Sequence, residues 1–189
     1  MYEKKDFKHL LGTSGFSDAL LENHFKLYEG YVANVNTLAE KLAQAQAGTH
    51  EYAEQKRRFG WEWNGMRLHE LYFENMKKDS VATLSEESAL YKKIVSDFGS
   101  YEAWENDFKN TGALRGIGWA VLSYDKQDNR LFNTWVNEHD VGHLAGTQPV
   151  LIMDVFEHAF MLDYGLKRVD YITAFMKAID WGVVSERVS

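Results

Sequence analysis

The stretch Met153-Asp154-Val155-Phe156-Glu157-His158-Ala159-Phe160 contains an aspartate and a histidine four residues apart, directly after an apolar run at 150–153. An acid and an imidazole at this spacing can reach one metal ion, whether the backbone is a helical turn or a strand that enters a helix. Asp154 and His158 are therefore candidate metal ligands. The same pair on the surface of a helix would need no metal, so the rest of the chain must supply the other ligands.

Composition limits the kinds of site that the chain can build. It has 189 residues, of which 45% are hydrophobic and 14% aromatic, and this suits a globular protein with a substantial core. It has no cysteine, so a metal site must use histidine, aspartate or glutamate, which suit iron, manganese or zinc rather than an iron–sulfur cluster. The net charge of −7 argues against nucleic acid as a partner.

Neither a targeting segment nor a membrane span is expected from the sequence. The start of the chain, residues 1–6, carries charges that no apolar stretch follows, and no apolar run approaches the length that crosses a bilayer. The predicted location is the cytoplasm.

Helical patterns fill the first eighty residues. Ser17-Asp18 predicts the start of a helix, and apolar residues follow at helical spacing to about residue 46. Gly48-Thr49 interrupts this pattern, and a second helix is expected over 51–77. Two antiparallel helices would form an N-terminal helical hairpin domain, residues 1–80, which ends in the link Lys78-Asp79-Ser80.

The second half of the chain changes from helices to short strands. Ser85 and Ser100 are predicted to cap two helices that end near residues 98 and 110. Three strands are predicted next, at 118–124, 131–136 and 149–155, and a helix at 171–179. The predicted fold class is α+β, in which residues 81–189 form a C-terminal α+β domain with a three-stranded antiparallel sheet flanked by helices.

His24 and His69 lie on the two predicted helices of the first half. His24 lies seven residues before Tyr31, so the two side chains project from nearly the same face of a helix. His69 lies among aromatic residues of the second helix, where a histidine is more often a packed core residue.

Residues 154–160 resemble the signature of the iron/manganese superoxide dismutases, Asp-Val-Trp-Glu-His-Ala-Tyr, which is followed shortly by Asp-Tyr, here Asp163-Tyr164. The resemblance extends from about Ser17 to about Trp181. It implies one manganese or iron ion per subunit, held by His24, His69, Asp154 and His158, with a fifth position for solvent.

Both predicted helices resemble the corresponding segments of this family. Residues 31–36 read Tyr-Val-Ala-Asn-Val-Asn and match the family's Tyr-Val-x-Asn-x-Asn. Residues 67–73 resemble its Trp-Asn-His-x-x-Tyr/Phe-Trp around the second histidine. The family usually has eight steps from the first histidine to the tyrosine, whereas seven separate His24 from Tyr31. The sequence leaves the effect of this shorter spacing open.

The resemblance also implies which residue contacts the solvent on the metal. Iron-type members commonly bring a glutamine from the second helix, where this chain has Gly65. Manganese-type members commonly have glycine there and bring a glutamine from just after the second strand. That later position falls at or next to His139, which we expect to take this role, with His143 as the alternative. Trp119 matches an aromatic residue that walls the family's active site.

Further matches concern the path of the substrate and the subunit interface. Arg168 falls where the family has an arginine near the dimer interface and the substrate funnel, and a local cation attracts an anion whatever the net charge. Glu157 corresponds to a glutamate that pairs with the ligand histidine of the other subunit. A homodimer is predicted, and a tetramer is left open. The family's interface histidine and tyrosine are replaced here by Leu27 or Tyr28 and by Phe160.

The resemblance therefore predicts a superoxide dismutase, an oxidoreductase that converts superoxide to dioxygen and hydrogen peroxide. The predicted catalytic residues are Tyr31, His139, Trp119 and Arg168. Gly65 together with a late His139 favours manganese or the use of both metals, and the sequence does not choose further.

Two other functions fit the sequence less well. A catalytically inert metal-binding or interaction protein of the same fold would be expected to lose ligands, and this chain keeps all four candidates. A zinc hydrolase would need a general base such as the glutamate of His-Glu-x-x-His, and His69-Glu70 lacks the second histidine because residue 73 is phenylalanine.

Overall fold

Two long helices form the N-terminal half of the protein in the computed structural model, which describes residues 1–80 and 83–188. Helix α1 spans Asp18–Gln44 and α2 spans His50–Glu74, and the two pack against each other along their length. The side chain of Ser17 accepts a hydrogen bond from the Leu20 amide, which caps α1 as the sequence predicts. The Thr49 side chain caps α2 in the same way, since it accepts from the Tyr52 amide. The helical hairpin is confirmed.

Two shorter helices follow, α3 at Ala89–Phe98 and α4 at Tyr101–Ala113. Ser100 caps α4 as predicted, because its side chain accepts from the Ala103 amide. The predicted cap of α3 at Ser85 is wrong, since Ser88 is the residue whose side chain accepts from the first turn of the helix. Ser85 lies one turn earlier, and its carbonyl accepts from the Ser88 amide and hydroxyl. A serine pattern alone does not distinguish the two positions.

The three predicted strands form one antiparallel sheet. Strand β1 spans Gly118–Asp125, β2 Arg130–Asn137 and β3 Gln148–Asp154, in the order β2-β1-β3. In the register, Trp119 of β1 lies between Val136 of β2 and Asp154 of β3. The start of β1 and the ends of both neighbours therefore meet at one end of the sheet. This end carries Trp119, Asp154 and the loop that contains His139.

Short helices complete the chain after β3. A 3-10 turn covers Glu157–Ala159, α5 covers Met161–Tyr164, α6 covers Arg168–Ala178 and α7 covers Trp181–Glu186. Of these, α6 corresponds to the helix predicted at 171–179. The others escape sequence analysis because they are too short to show a helical period. The fold class is α+β as predicted, with helices flanking a three-stranded antiparallel sheet.

Polar contacts tie the helical hairpin to the sheet. The side-chain amide of Asn75, just after α2, donates to the Ile152 carbonyl of β3 at 2.5 Å in a buried position. Arg187, after α7, donates to the Asn75 side-chain oxygen at 2.5 Å and to the Val150 carbonyl at 3.0 Å. The predicted division of the chain into 1–80 and 81–189 stays a prediction, because residues 81 and 82 lie outside the described residues. Among the described helices, none combines the length and the apolar composition that crossing a membrane requires.

Candidate metal centre

The four predicted ligands come from four separate elements and meet at one point. His24 lies on α1, His69 on α2, Asp154 at the end of β3 and His158 in the 3-10 turn. One donor atom from each lies within 4.8 Å of all the others. His24, His69 and Asp154 are buried, whereas the His158 side chain is 30% exposed. The cluster thus lies inside the protein and opens to solvent on the His158 side.

All three imidazoles direct their Nε2 atoms at the same carboxylate oxygen. The distance to Asp154 Oδ2 is 3.1 Å from His24, 3.1 Å from His158 and 3.5 Å from His69. The other oxygen, Oδ1, accepts a hydrogen bond from the Phe156 amide at 2.8 Å, which fixes the orientation of the carboxylate. The spacing of seven residues between His24 and Tyr31 therefore allows His24 to reach the cluster from a regular α1.

The protonation states of these groups suit metal binding. Burial lowers the pKa of His24 and lowers the pKa of His69 well below its usual value, so both imidazoles are neutral. Burial alone would raise the pKa of Asp154, but the charge of His158 and the hydrogen bonds from His158 and His24 outweigh it and hold the pKa far below its usual range. Asp154 is therefore an anion toward which His24 and His158 direct N–H groups, and a metal ion bound here would take the place of those hydrogens.

His69 shows most directly that a cation fits here. Its Nδ1 lies 2.6 Å from the Gly65 carbonyl, which can only accept, so Nδ1 carries the proton and Nε2 of the neutral ring is bare. That buried Nε2 has no hydrogen-bond partner among the described residues. It faces a carboxylate oxygen at 3.5 Å, so two acceptors lie against each other. A metal ion between them satisfies both, and three nitrogen donors with one oxygen donor suit manganese or iron.

A hydrogen-bonded chain of three predicted residues lies beside the cluster. The Trp119 indole N–H donates to His139 Nδ1 at 3.1 Å, and His139 Nε2 lies 2.8 Å from the Tyr31 hydroxyl. Burial lowers the pKa of His139 to about 4, so this ring is neutral. Since Nδ1 accepts from Trp119, Nε2 carries the proton and donates it to the Tyr31 oxygen. The hydroxyl hydrogen of Tyr31 is left free for another acceptor.

The Tyr31 ring links this chain to the predicted ligands. It stacks on His69 with ring centroids 5.0 Å apart, and burial raises the pKa of its hydroxyl well above the usual value. Gly65 makes the close approach of this ring to α2 feasible, because a Cβ at residue 65 would lie 2.6 Å from Tyr31 Cδ1. Gly65 thus acts twice, through its missing side chain and through its carbonyl bond to His69.

The remaining predicted residues lie outside this chain of contacts. The ring of His143 contacts the backbone carbonyl of His139 at 2.9 Å and not the cluster, so the geometry favours His139 over His143 as the residue beside Tyr31. Arg168 donates to the carbonyls of Leu114 and Gly116 and lies over the Phe160 ring at 5.2 Å. Glu157 is exposed, and its carboxylate makes no hydrogen bond or ion pair among the described residues, although its backbone carbonyl accepts from the Phe160 amide.

Trp61 borders the site and is not among the residues that the sequence predicts there. Trp61 packs against both Tyr31 and His139, and its indole N–H donates to Glu138 at 2.9 Å. A signal was available in the helical spacing, because Trp61, Gly65 and His69 follow one another at intervals of four residues on α2.

Comparison with known proteins agrees with this geometry. Residues 85–187 match the C-terminal domain of the iron/manganese superoxide dismutases. An iron superoxide dismutase of Aquifex pyrophilus is 38% identical over 194 aligned positions, which cover 98% of this chain and 90% of the relative. A manganese superoxide dismutase of Haloferax volcanii is 38% identical, covering 84% of this chain and 79% of the relative. An iron superoxide dismutase of Cupriavidus metallidurans is 36% identical, covering 89% and 86%.

A family match over more than half of the chain, together with relatives that are 36–38% identical over 84–98% of this chain, shows that the chain belongs to the iron/manganese superoxide dismutase family.

Proposed function

We propose that this protein is a superoxide dismutase that uses one manganese or iron ion held by His24, His69, Asp154 and His158. It converts two superoxide anions and two protons to one dioxygen and one hydrogen peroxide. The observation that carries this proposal is the convergence of three imidazole Nε2 atoms on one buried carboxylate oxygen, with the lone pair of His69 left without a partner. Relatives named as iron and as manganese superoxide dismutases support it.

A manganese or iron ion bound there supplies a one-electron redox couple, so that one superoxide is oxidised and the next is reduced. The protein contributes the charge around that couple. Three of the four donors are neutral and one is anionic, so the donor set leaves part of the cation's charge uncompensated. An anionic substrate is attracted to such a site, and the neutral product dioxygen is not retained.

Tyr31 is proposed to deliver a proton to the reduced product. Its raised pKa keeps the hydroxyl protonated, and the donor role of His139 Nε2 leaves the hydroxyl hydrogen free to point toward the site. The Trp119 N–H fixes the tautomer of His139 that makes this arrangement work. Tyr31, His139 and Trp119 therefore act as one unit, in which each residue sets the donor or acceptor role of the next.

Arg168 is proposed to attract superoxide toward the opening at His158. Its guanidinium is half-buried and is held in place by two backbone carbonyls and the Phe160 ring, so the charge is fixed in position. A fixed cation near the entrance raises the encounter rate with an anion, and salt screens this effect. Replacement of Arg168 by glutamine should lower kcat/KM more than kcat and should weaken the dependence of kcat/KM on ionic strength.

A homodimer is proposed from the surface around the 3-10 turn and α5. The Glu157 carboxylate is exposed without a partner in the described chain, and Leu162, Leu166 and Val169 nearby are 59%, 93% and 64% exposed. Apolar exposure of this kind marks interaction surfaces. Light scattering should give a dimer mass at micromolar concentration and a monomer for Leu166→Glu. A monomeric wild-type protein would refute this part, and a tetramer would add a second interface. The cytoplasmic location stays a prediction.

The enzymatic proposal is tested by loading the metal-free protein separately with manganese and with iron and measuring superoxide decay directly. We expect rapid decay with at least one metal, bound at one ion per chain. Asp154→Asn is the control for metal that binds elsewhere. If manganese and iron each bind at one ion per chain and neither form removes superoxide faster than Asp154→Asn, the protein is not a dismutase and the inert interpretation takes its place.

A further inference from the structure

Trp61 forms one wall of the site beside Tyr31 and His139. Its ring centroid lies 4.4 Å from that of His139 and 5.7 Å from that of Tyr31, at interplanar angles of 68° and 50°. On another side of His139, the Phe156 ring stacks at 4.9 Å. The imidazole is therefore held between two aromatic rings, while its nitrogens bind Trp119 and Tyr31. Trp61 touches both Tyr31 and His139 without a hydrogen bond to either.

The indole of Trp61 is itself fixed at two points. Its N–H donates to the Glu138 carboxylate at 2.9 Å, and the Arg58 guanidinium lies 4.0 Å above its ring. Arg58 in turn pairs at 2.7 Å with Glu62, a buried carboxylate that also accepts from Asn34. A residue that only filled space would not need such anchors, so the orientation of the indole is specified.

Glu138 has an unusual backbone that connects this anchor to His139. Its φ is 51°, in the left-handed region that non-glycine residues rarely adopt. Asparagine and aspartate tolerate this region through short-range hydrogen bonds of their side chains, and glutamate is less suited to it. The Asn137 amide donates to the Val141 carbonyl at 2.7 Å, which closes the turn around Glu138 and His139. The Trp61 bond thus holds the strained residue that directly precedes His139.

We propose that Trp61 is a positioning residue for the dismutase reaction, which keeps the His139 imidazole against the Tyr31 hydroxyl and is itself held by Glu138 and Arg58. This inference rests on the proposed function, since it assigns a task to the His139–Tyr31 pair. Without the indole, the His139 ring can tilt, and water can enter the space beside Tyr31 that the Trp61 side chain fills. The 2.8 Å contact between His139 and Tyr31 is then no longer enforced.

Trp63 provides a matched control for Trp61. It lies on the same helix, its N–H donates to the Tyr2 hydroxyl at 3.2 Å, and the Arg67 guanidinium lies 5.5 Å from its ring. It has the same chemistry and similar partners, but it contacts neither Tyr31 nor His139 among the described ring pairs. A general loss of helix packing would therefore affect both tryptophans, whereas a positioning role affects Trp61 alone.

The experiment compares Trp61→Ala and Trp63→Ala in the manganese-loaded enzyme, with turnover and the reduction midpoint potential of the bound metal as readouts. Loss of a residue that orients a ligand environment costs about 10- to 100-fold, so we expect turnover of Trp61→Ala to fall by that amount and its potential to shift. Trp63→Ala should keep both values. Equal values for the two variants overturn the proposal.

A double-mutant cycle tests the anchor without removing the ring. Trp61→Phe and Glu138→Ala each delete one side of the same hydrogen bond, so the double variant should lose no more turnover than the worse single variant. Glu138→Gln keeps an oxygen acceptor and should recover most of the turnover that Glu138→Ala loses. Independent, multiplying losses overturn the anchor. This cycle still tests the proposal if Trp61→Ala does not fold.

His139→Ala separates this inference from the function on which it rests. If His139→Ala leaves turnover and potential at the wild-type values, the proposed task of His139 is wrong, and the positioning role falls with it. If His139→Ala changes both values while Trp61→Ala changes neither, the dismutase function stands and Trp61 is only part of the packing.

Discussion

Replacement of Gly65 by alanine tests the contact that brings Tyr31 to the metal centre. A Cβ on residue 65 would lie 2.6 Å from Tyr31 Cδ1 and 2.7 Å from Cε1, so the ring must move. The ring has little freedom, since it stacks on His69 at 5.0 Å and its hydroxyl contacts His139 at 2.8 Å. Gly60 on the same helix is the matched control, because nothing lies within 4 Å of a Cβ placed there.

Three contributions, one favourable and two unfavourable, set the expected change in the free energy of unfolding. Alanine in place of glycine inside a helix gains about 1 kcal/mol. Forcing an extra methyl group into a packed site costs about 1–3 kcal/mol, and a lost Tyr31–His139 hydrogen bond costs about 1 kcal/mol more. Gly65→Ala should thus lower the free energy of unfolding by about 1–3 kcal/mol, whereas Gly60→Ala should raise it by about 1 kcal/mol. For a chain of this size, the difference corresponds to roughly 4–16 °C in melting temperature.

The assay is thermal unfolding of both variants at equal manganese content, together with direct measurement of superoxide decay. We expect Gly60→Ala to keep wild-type activity, and Gly65→Ala to lose about 10-fold or more because Tyr31 is displaced. A Gly65→Ala protein as stable and as active as Gly60→Ala would refute the reasoning, since the Tyr31 ring would then have room that the structure does not show.

Three further substitutions test other groups of the site. Asp154→Asn should reduce bound metal at least about 10-fold by mass spectrometry while the circular dichroism spectrum is retained; full metal content would remove Asp154 from the ligands. Tyr31→Phe should lower turnover about 10- to 100-fold and leave the metal content unchanged, and unchanged turnover would exclude the proposed proton delivery. The pKa of His139 is about 4 in the folded protein, below about 6.5 in the unfolded chain, so the unfolded chain binds more protons between these values and stability falls as pH drops from 6.5 to 4. His139→Gln lacks this titrating group, so between pH 6.5 and pH 4 its free energy of unfolding should fall by about 3 kcal/mol less than that of the wild-type protein. Parallel curves of unfolding free energy against pH for the two proteins would contradict this expectation.

The fold was predictable where the sequence carries local signals. Ser17 and Ser100 have the capping chemistry of helix starts, and the turn at 126–129 separates two strands, so these features follow from neighbouring residues alone. The cap of α3 at Ser88 was missed because two serines three residues apart both fit the pattern. The choice between them depends on the backbone, which the sequence does not display.

The ligand cluster was predicted only with the help of the family resemblance. His24 and Asp154 lie 130 residues apart in the chain and 3.1 Å apart in the fold, and no periodicity could bring them together. Trp61 and Glu138, which are 77 residues apart, had no such help and were missed. Long-range pairs of this kind depend on the register of the sheet against α2, which a pattern of single residues does not determine.

Relatives named as iron and as manganese superoxide dismutases are both 38% identical to this chain, so overall similarity does not decide between the two metals. We expect the groups around the four proposed donors to influence this choice. In this protein, residue 65 cannot carry a side chain while Tyr31 stays in place, so residue 65 cannot supply a polar partner for the site. We expect that partner to be His139, whose tautomer is set by Trp119 and whose proton is directed at Tyr31. The glycine at residue 65 and the histidine at residue 139 therefore depend on each other. We expect a glutamine introduced at residue 65 alone to displace Tyr31 rather than to change the metal preference.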